Sequence, residues 1–294
     1  MPRMQQNTYL SHAQDPATFG FKTEKRTRGR DLTKAYVQLR PEQSAQLKLS
    51  EMQIPLFTLR SRSQRMKTNA LLDPSSPDSW MEFTTSQRFS AIFLGTDHYK
   101  LPYRGIYNIG RASAYAAVIP TLRIESIRLD HCPIYVRMAT HSLGPLSRGI
   151  TSPNIGAVLG YDVLKMFEFI QFNPYTRRVK LSTTEPYEPN PELLMTIAKI
   201  VDVPLQGLVV EGAVLGTPTP VVLDFAGDYH FSRGDVKVNI TKQVSLGDVV
   251  FRQVPTLLLP THHAPARAGR RMLENYIITV CPQKGVVYFE EFPE

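Results

Sequence analysis

Two aspartates stand at matching places in the chain: Asp73 follows Leu71-Leu72, and Asp224 follows Val222-Leu223. An aspartate that ends an apolar strand carries its carboxylate to the rim of a sheet. Two such groups held close together cannot both ionise, so they share one proton. One then acts as base on water while the other acts as acid toward a carbonyl, which hydrolyses an amide without a covalent intermediate. Taken singly, Asp73-Pro74-Ser75-Ser76 reads as a surface turn, because Asp-Pro starts turns readily. Asp224 alone reads as a strand-end residue bonded to its own backbone. The chemistry depends on elements that set the two against each other.

Those elements recur in order. Ile54-Pro55-Leu56 before Leu71-Leu72-Asp73 answers to Val203-Pro204-Leu205 before Val222-Leu223-Asp224, with gaps that differ by only two residues. Cys132-Pro133-Ile134-Tyr135-Val136 answers to Val254-Pro255-Thr256-Leu257-Leu258. Gly160 to Phe167, Phe169 to Pro174 and Val179 to Leu181 answer to Gly269 to Tyr276, Ile277 to Pro282 and Val287 to Phe289. A repeat of this kind describes architecture better than any single motif. The first copy carries about 29 more residues between its Asp and its Pro, largely Trp80 to Gly110, an expected hairpin or flap-like excursion.

The segments themselves are strand-like. Val236, Val238 and Ile240 alternate with Lys237 and Asn239, and runs rich in Val, Ile, Tyr and Phe recur at Ile134 to Val136, Val221 to Leu223, Tyr276 to Val280 and Val286 to Phe289. Residues 1–34 are polar and basic and read as an arm. Residues 35–184 form a first packed region, residues 185–192 a stiff linker with Pro186, Pro189 and Pro191, and residues 193–294 a second region. Asn190-Pro191-Glu192 before Leu193, Leu194, Ile197 and Ile200 predicts a capped short helix.

The segment Leu71 to Ser76, with Ser79-Trp80 beyond it, resembles the first active-site loop of the pepsin and retropepsin-like aspartic proteases. Ala157 to Leu164 resembles the apolar-apolar-Gly element and short helix behind that loop, Val222 to Gly227 the second active-site loop, and Tyr276 to Phe289 the closing strands of a lobe. The resemblance implies an all-β fold with few short helices: two similar β-barrel-like lobes related by a pseudo-two-fold axis. It implies an extended peptide or protein substrate in the cleft between them and a catalytic dyad at Asp73 and Asp224. Ser75, Ser76, Ala226 and Gly227 would then line the substrate, with Tyr107 or Tyr115 covering it from the excursion.

The chain departs from the pattern at five places. The family's loop reads Asp, then Thr or Ser, then Gly; here Pro74 and Phe225 hold the hydroxyl positions, and Ser75 and Ala226 the glycine positions. Pro74 has neither hydroxyl nor N–H. Arg267-Ala268-Gly269 also replaces an apolar pair before the glycine in the second copy. Three readings follow: an aspartic endopeptidase, a pseudoprotease that keeps the lobes as a peptide-binding or assembly module, and a β scaffold whose basic arm recruits acidic partners.

Composition narrows the remaining classes. The 294 residues are 42% hydrophobic and 20% charged, enough for a sizeable core, and no apolar run is long enough to span a bilayer as a helix. The N-terminus has no apolar signal-like run. Formal net charge is +8, with Lys22, Lys25, Arg26, Arg28 and Arg30 against Glu24 in one short stretch. Few aromatics interleave with these residues, so nucleic acid is not the expected partner. Arg60 to Lys67 reads as a charged hairpin tip. Cys132 and Cys281 read as buried structural thiols and Trp80 as core; Asp78 and Asp228 read as solvated loop carboxylates. Neither the cysteines nor His262-His263 has metal-ligand spacing, and no glycine-rich phosphate loop appears, so no metal or cofactor is expected.

Overall fold

Leu56–Ser61 alternates half-buried and buried residues along its whole length, the period-two signature of a strand with one face in a core. In the computed structural model Ser44–Lys48 alternates likewise, while Ile155–Leu159, Val221–Asp224, Ala266–Gly269 and Ile277–Cys281 are buried along their whole length, and strand predominates among the described residues. The structure describes residues 12–19, 22–26, 29–33, 38–39, 44–50, 53–61, 65–103, 110–137, 155–234, 239–258 and 266–294. The expected strand positions Val236 and Val238, and also Tyr107, His262 and His263, lie outside them.

Six strands of the first half close into a barrel. In spatial order they are Lys67–Leu72, Leu56–Ser61, Gly110–Ile124, Ile127–Arg137, Trp80–Glu82 and Ile155–Leu159, which returns to Lys67–Leu72. Closure leaves none of these six with an open edge. Trp80–Glu82 is thus a barrel strand, and the excursion proper is Ile92–Tyr103 paired with Gly110–Ile124. Trp80 is 1% exposed, with the Arg137 guanidinium 5.2 Å above its ring.

In the second half, Val221–Asp224 runs parallel to Ala266–Gly269, which runs antiparallel to Phe231–Arg233, which runs parallel to Val249–Leu258. The barrel contains the same succession: Lys67–Leu72 parallel to Ile155–Leu159, antiparallel to Trp80–Glu82, parallel to Ile127–Arg137.

A third sheet joins the halves. Its order is Leu194–Lys199, Val286–Glu290, Ile277–Cys281, Phe169–Asn173, Arg178–Ser182, Ser44–Lys48, three strands from each half. The halves meet where Gln171 pairs with Thr279, and the Gln171 amide also donates to the Thr279 hydroxyl at 3.1 Å. One continuous core runs beneath, and in it Phe172 stacks on Phe225 with ring centroids 3.7 Å apart. Cys132 and Cys281 are both buried and unbridged, and burial pushes the Cys281 thiol up to about 11. No helix of the described residues is long and apolar enough to cross a membrane.

The predicted helix after Asn190 is instead the strand Leu194–Lys199. Asn190 caps only a turn, its side chain accepting from the Glu192 N–H at 3.1 Å. Beyond that turn Val286–Glu290 supplies an open edge, so Thr196 and Ala198 turn inward at period two and the helical spacing of Leu193, Ile197 and Ile200 is overridden. The Pro-rich segment before it is a strap across the outer face of the joining sheet. Tyr187 packs on Phe169 and Tyr288 and donates its hydroxyl to the buried Glu290 carboxylate, whose other oxygen accepts the Asn190 N–H at 2.8 Å. Replacing Tyr187 by Phe leaves that carboxylate under-bonded; thermal unfolding should show a loss of about 1–3 kcal/mol, and limited proteolysis at 185–192 should accelerate. Unchanged cleavage would mean that proline stiffness alone holds the strap.

Candidate functional site

Asp73 leaves the barrel at the end of Lys67–Leu72, where its N–H donates to the Leu159 carbonyl at 2.9 Å. The loop turns at once, with the Ser76 N–H on the Asp73 carbonyl at 3.1 Å. Ser75 donates twice to Asp73 Oδ1, from its N–H at 3.0 Å and its hydroxyl at 2.6 Å. Asp73 Oδ2 is buried and has no hydrogen-bond partner among the described residues. Pro74 lacks a hydroxyl but offers its carbonyl, which accepts the Leu208 N–H from the second half at 2.7 Å. The approach there needs a glycine: a Cβ on Gly207 would lie 2.1 Å from the Pro74 oxygen.

Asp224 ends Val221–Asp224 and is 0% exposed. Its Oδ1 accepts the N–H groups of Ala226 at 3.2 Å and Gly227 at 2.8 Å. Its Oδ2 accepts the Tyr229 hydroxyl at 2.7 Å and Arg267 Nη2 at 3.3 Å. Arg267 is 1% exposed and also donates from Nε to the Tyr229 oxygen at 3.3 Å. Phe225, next in sequence to Asp224, packs into the stack with Phe172.

The structure brings Asp73, Asp224, Tyr229 and Arg267 into one dry electrostatic cluster. Burial, and then the charge of Asp224, push the Asp73 carboxyl up to about 7, against the pull of Ser75 and Arg267. Burial would weaken the hold of Arg267 on its proton, but Tyr229 and Asp224 outweigh it and the guanidinium stays charged. Burial and the Asp224 charge raise Tyr229, so its hydroxyl stays a donor. Four donors, one of them a cation, are directed at the two oxygens of Asp224.

The other expected site residues are arranged around this cluster. Ser75, Ala226 and Gly227 direct their polar groups to the two carboxylates, and the Ser76 hydroxyl donates to the Asp78 carbonyl within its own loop. Tyr115 lies half-buried in Gly110–Ile124, edge-on to Phe93 at 6.4 Å. Asp228 is not a solvated carboxylate: Arg271 and Arg270 bind it at 2.7 and 2.5 Å, and the Arg271 hydrogen bond leads in holding it below the usual range. Behind the first loop, Asp162 accepts the Ser79 hydroxyl at 2.6 Å, while that hydroxyl accepts the Gly160 N–H at 2.8 Å. Arg267 is the site residue that the aspartate motifs alone do not reveal. Its signal in the sequence is a charge in an apolar strand, at the place where the first copy carries Val158. No group of three or more His, Cys, Asp or Glu among the described residues is arranged to hold a metal ion.

No family model matches the chain, and no curated protein matches it.

Two outcomes follow from the geometry. The folded state keeps a proton on Asp73 that the unfolded chain releases near 3.8, so stability falls as pH rises from about 4 to 7, by about 4 kcal/mol in all. Asp73→Asn should flatten that slope in chemical denaturation and raise stability above pH 7; a slope that persists in this variant assigns the titration to another group. Gly207→Ala should destabilise the fold by about 1–3 kcal/mol by driving a methyl into the Pro74 carbonyl, and an unchanged melting temperature would refute that close contact.

Proposed function

We propose that this chain is a catalytically silent protein of the bilobal aspartic-protease architecture, a pseudoprotease that serves as a peptide-binding or assembly module. The observation that carries this reading is the Arg267 guanidinium, buried against Asp224 at 3.3 Å. A working dyad needs one carboxylate free to take a proton from water. Here the carboxylate of the second loop is neutralised by a fixed cation and saturated by Tyr229, Ala226 and Gly227.

The architectural part rests on three features. The same parallel, antiparallel, parallel succession follows each aspartate-bearing strand. A joining sheet takes three strands from each half. The two loops also touch, through Leu208 and Pro74. Loss of the hydroxyl and glycine positions then matches loss of function there: Phe225 has become core and Pro74 an interloop acceptor. The hydrolytic reading is favoured by one feature, the proton that Asp73 holds up to about pH 7.

Incubation with a mixed library of extended peptides from pH 3 to 8 separates the two. The silent module gives no cleavage product at any pH, while members of the library are retained on the immobilised protein. Turnover that Asp73→Asn abolishes would overturn the proposal and restore the dyad. Asp224→Asn tests the locking pair itself: it leaves Arg267 without its counter-charge and should destabilise the fold by about 3–5 kcal/mol. A near-neutral result would show that the pair does not hold the seam.

A further inference from the structure

On the outer face of the barrel, four basic residues lie in one row across four neighbouring strands. Lys67 pairs with Arg60, Arg60 with Arg123, and Arg123 with Arg128, each in direct antiparallel register. The two-residue turn Glu125-Ser126, with Glu125 at φ 50°, sets Ile124 opposite Ile127 and so fixes Arg123 opposite Arg128. Leu59, Leu122 and Leu129 point into the core, which leaves the four cations on the outside.

Directly opposed like charges destabilise a sheet. Arg128 has a neutralising partner, Asp130 at 2.7 Å. No ion pair involves Arg60, Lys67 or Arg123 among the described residues, and Arg123 Nε is buried without an acceptor. A fold that stacks three like-charge pairs and leaves three of the cations unneutralised breaks a local rule, and such breaks mark functional surfaces.

We propose that this row docks the phosphodiester backbone of a double-stranded nucleic acid, without reading its sequence. Adjacent strands are about 4.8 Å apart, so the four cations form a row about 14 Å long along the curved wall of a rigid barrel. A rigid array suits a rigid polyanion, whereas a flexible acidic peptide would lose ordering entropy on docking. Three of the four are arginines, whose planar fork matches phosphate oxygens. The flanking outward pair, Thr58 and Asn69, is uncharged and able to donate to phosphate. The absence of interleaved aromatics argues against stacking on single-stranded bases; backbone docking on a duplex does not need them. The inference concerns a different face from the aspartate seam and does not rest on the reading given to that seam.

The test is fluorescence anisotropy of the full chain with mixed-sequence 20-base-pair DNA and RNA duplexes at 50 to 200 mM salt. Binding to at least one duplex is expected, with log affinity falling about 3 to 4 per log salt. Arg60→Gln should weaken it about tenfold and reduce that slope by about 1, and Arg60→Gln with Lys67→Gln should weaken it about a hundredfold. Both variants should melt no lower than the parent, because they relieve repulsion. Lys67→Gln alone, at an exposed site, is the check should the double variant not fold. No duplex binding at 50 mM salt overturns the proposal. So does binding that the variants leave intact, which would assign it to the basic arm. Tighter binding of a poly-glutamate peptide or of phosphatidylserine vesicles than of either duplex also overturns it.

Discussion

Three ionisable side chains share a seam from which water is excluded: two carboxylates, Asp73 and Asp224, and one guanidinium, Arg267. An unpaired buried charge is too costly to keep, so such a group pairs or neutralises itself. Arg267 can neutralise only one acid. Its hydrogen bond goes to Asp224, which leaves Asp73 to hold a proton far above its ordinary range. This single imbalance accounts for the uneven loops. Asp224 is surrounded by donors, whereas Asp73 keeps one oxygen bonded to Ser75 and the other without a partner among the described residues.

The seam is held by the sheet beneath it. Strands Phe169–Asn173 and Ile277–Cys281 pair across the halves, and Phe172 on the first of them stacks on Phe225, next in sequence to Asp224. Phe225 thereby anchors the second loop to the joining sheet. Pro74 plays the complementary part in the first loop, because its carbonyl receives Leu208 from the opposite half. The loops are fastened by core packing and a backbone bond, with Asp224 surrounded by donors and Asp73 Oδ2 left without a partner among the described residues.

Period and order were legible from the residues. The apolar runs before Asp73 and Asp224 and the Val- and Ile-rich runs at Ile134 to Val136 and Val286 to Phe289 correspond to strands of the structure, whereas Val203 to Leu205 ends in a turn. Leu194–Lys199 was misread as a helix because Leu193, Ile197 and Ile200 fit a helical stripe; only a strand distant in sequence, Val286–Glu290, decides the matter by offering its edge. Asp228 was misread as solvated for the same reason: its partners Arg270 and Arg271 lie more than forty residues away. Arg267 was visible as a disrupted apolar pair, but its partner became identifiable only once Ala266–Gly269 was seen to lie beside Val221–Asp224. Local pattern carries strand identity, whereas charge pairing in a sheet is a property of register.

Register also explains why the two groups of cations carry opposite meanings. Arg267 sits beside Val222 in a buried ladder, where a charge survives only by capturing a carboxylate, and it captures Asp224. Arg60 and Arg123 sit opposite each other on an outer face, where water meets part of their charge and no acid among the described residues pairs with them. A buried cation is accounted for once its counter-ion is found. In the outward row Arg128 is relieved by Asp130, whereas no acid among the described residues pairs with Arg60, Lys67 or Arg123, which a tight turn and three strand registers hold side by side.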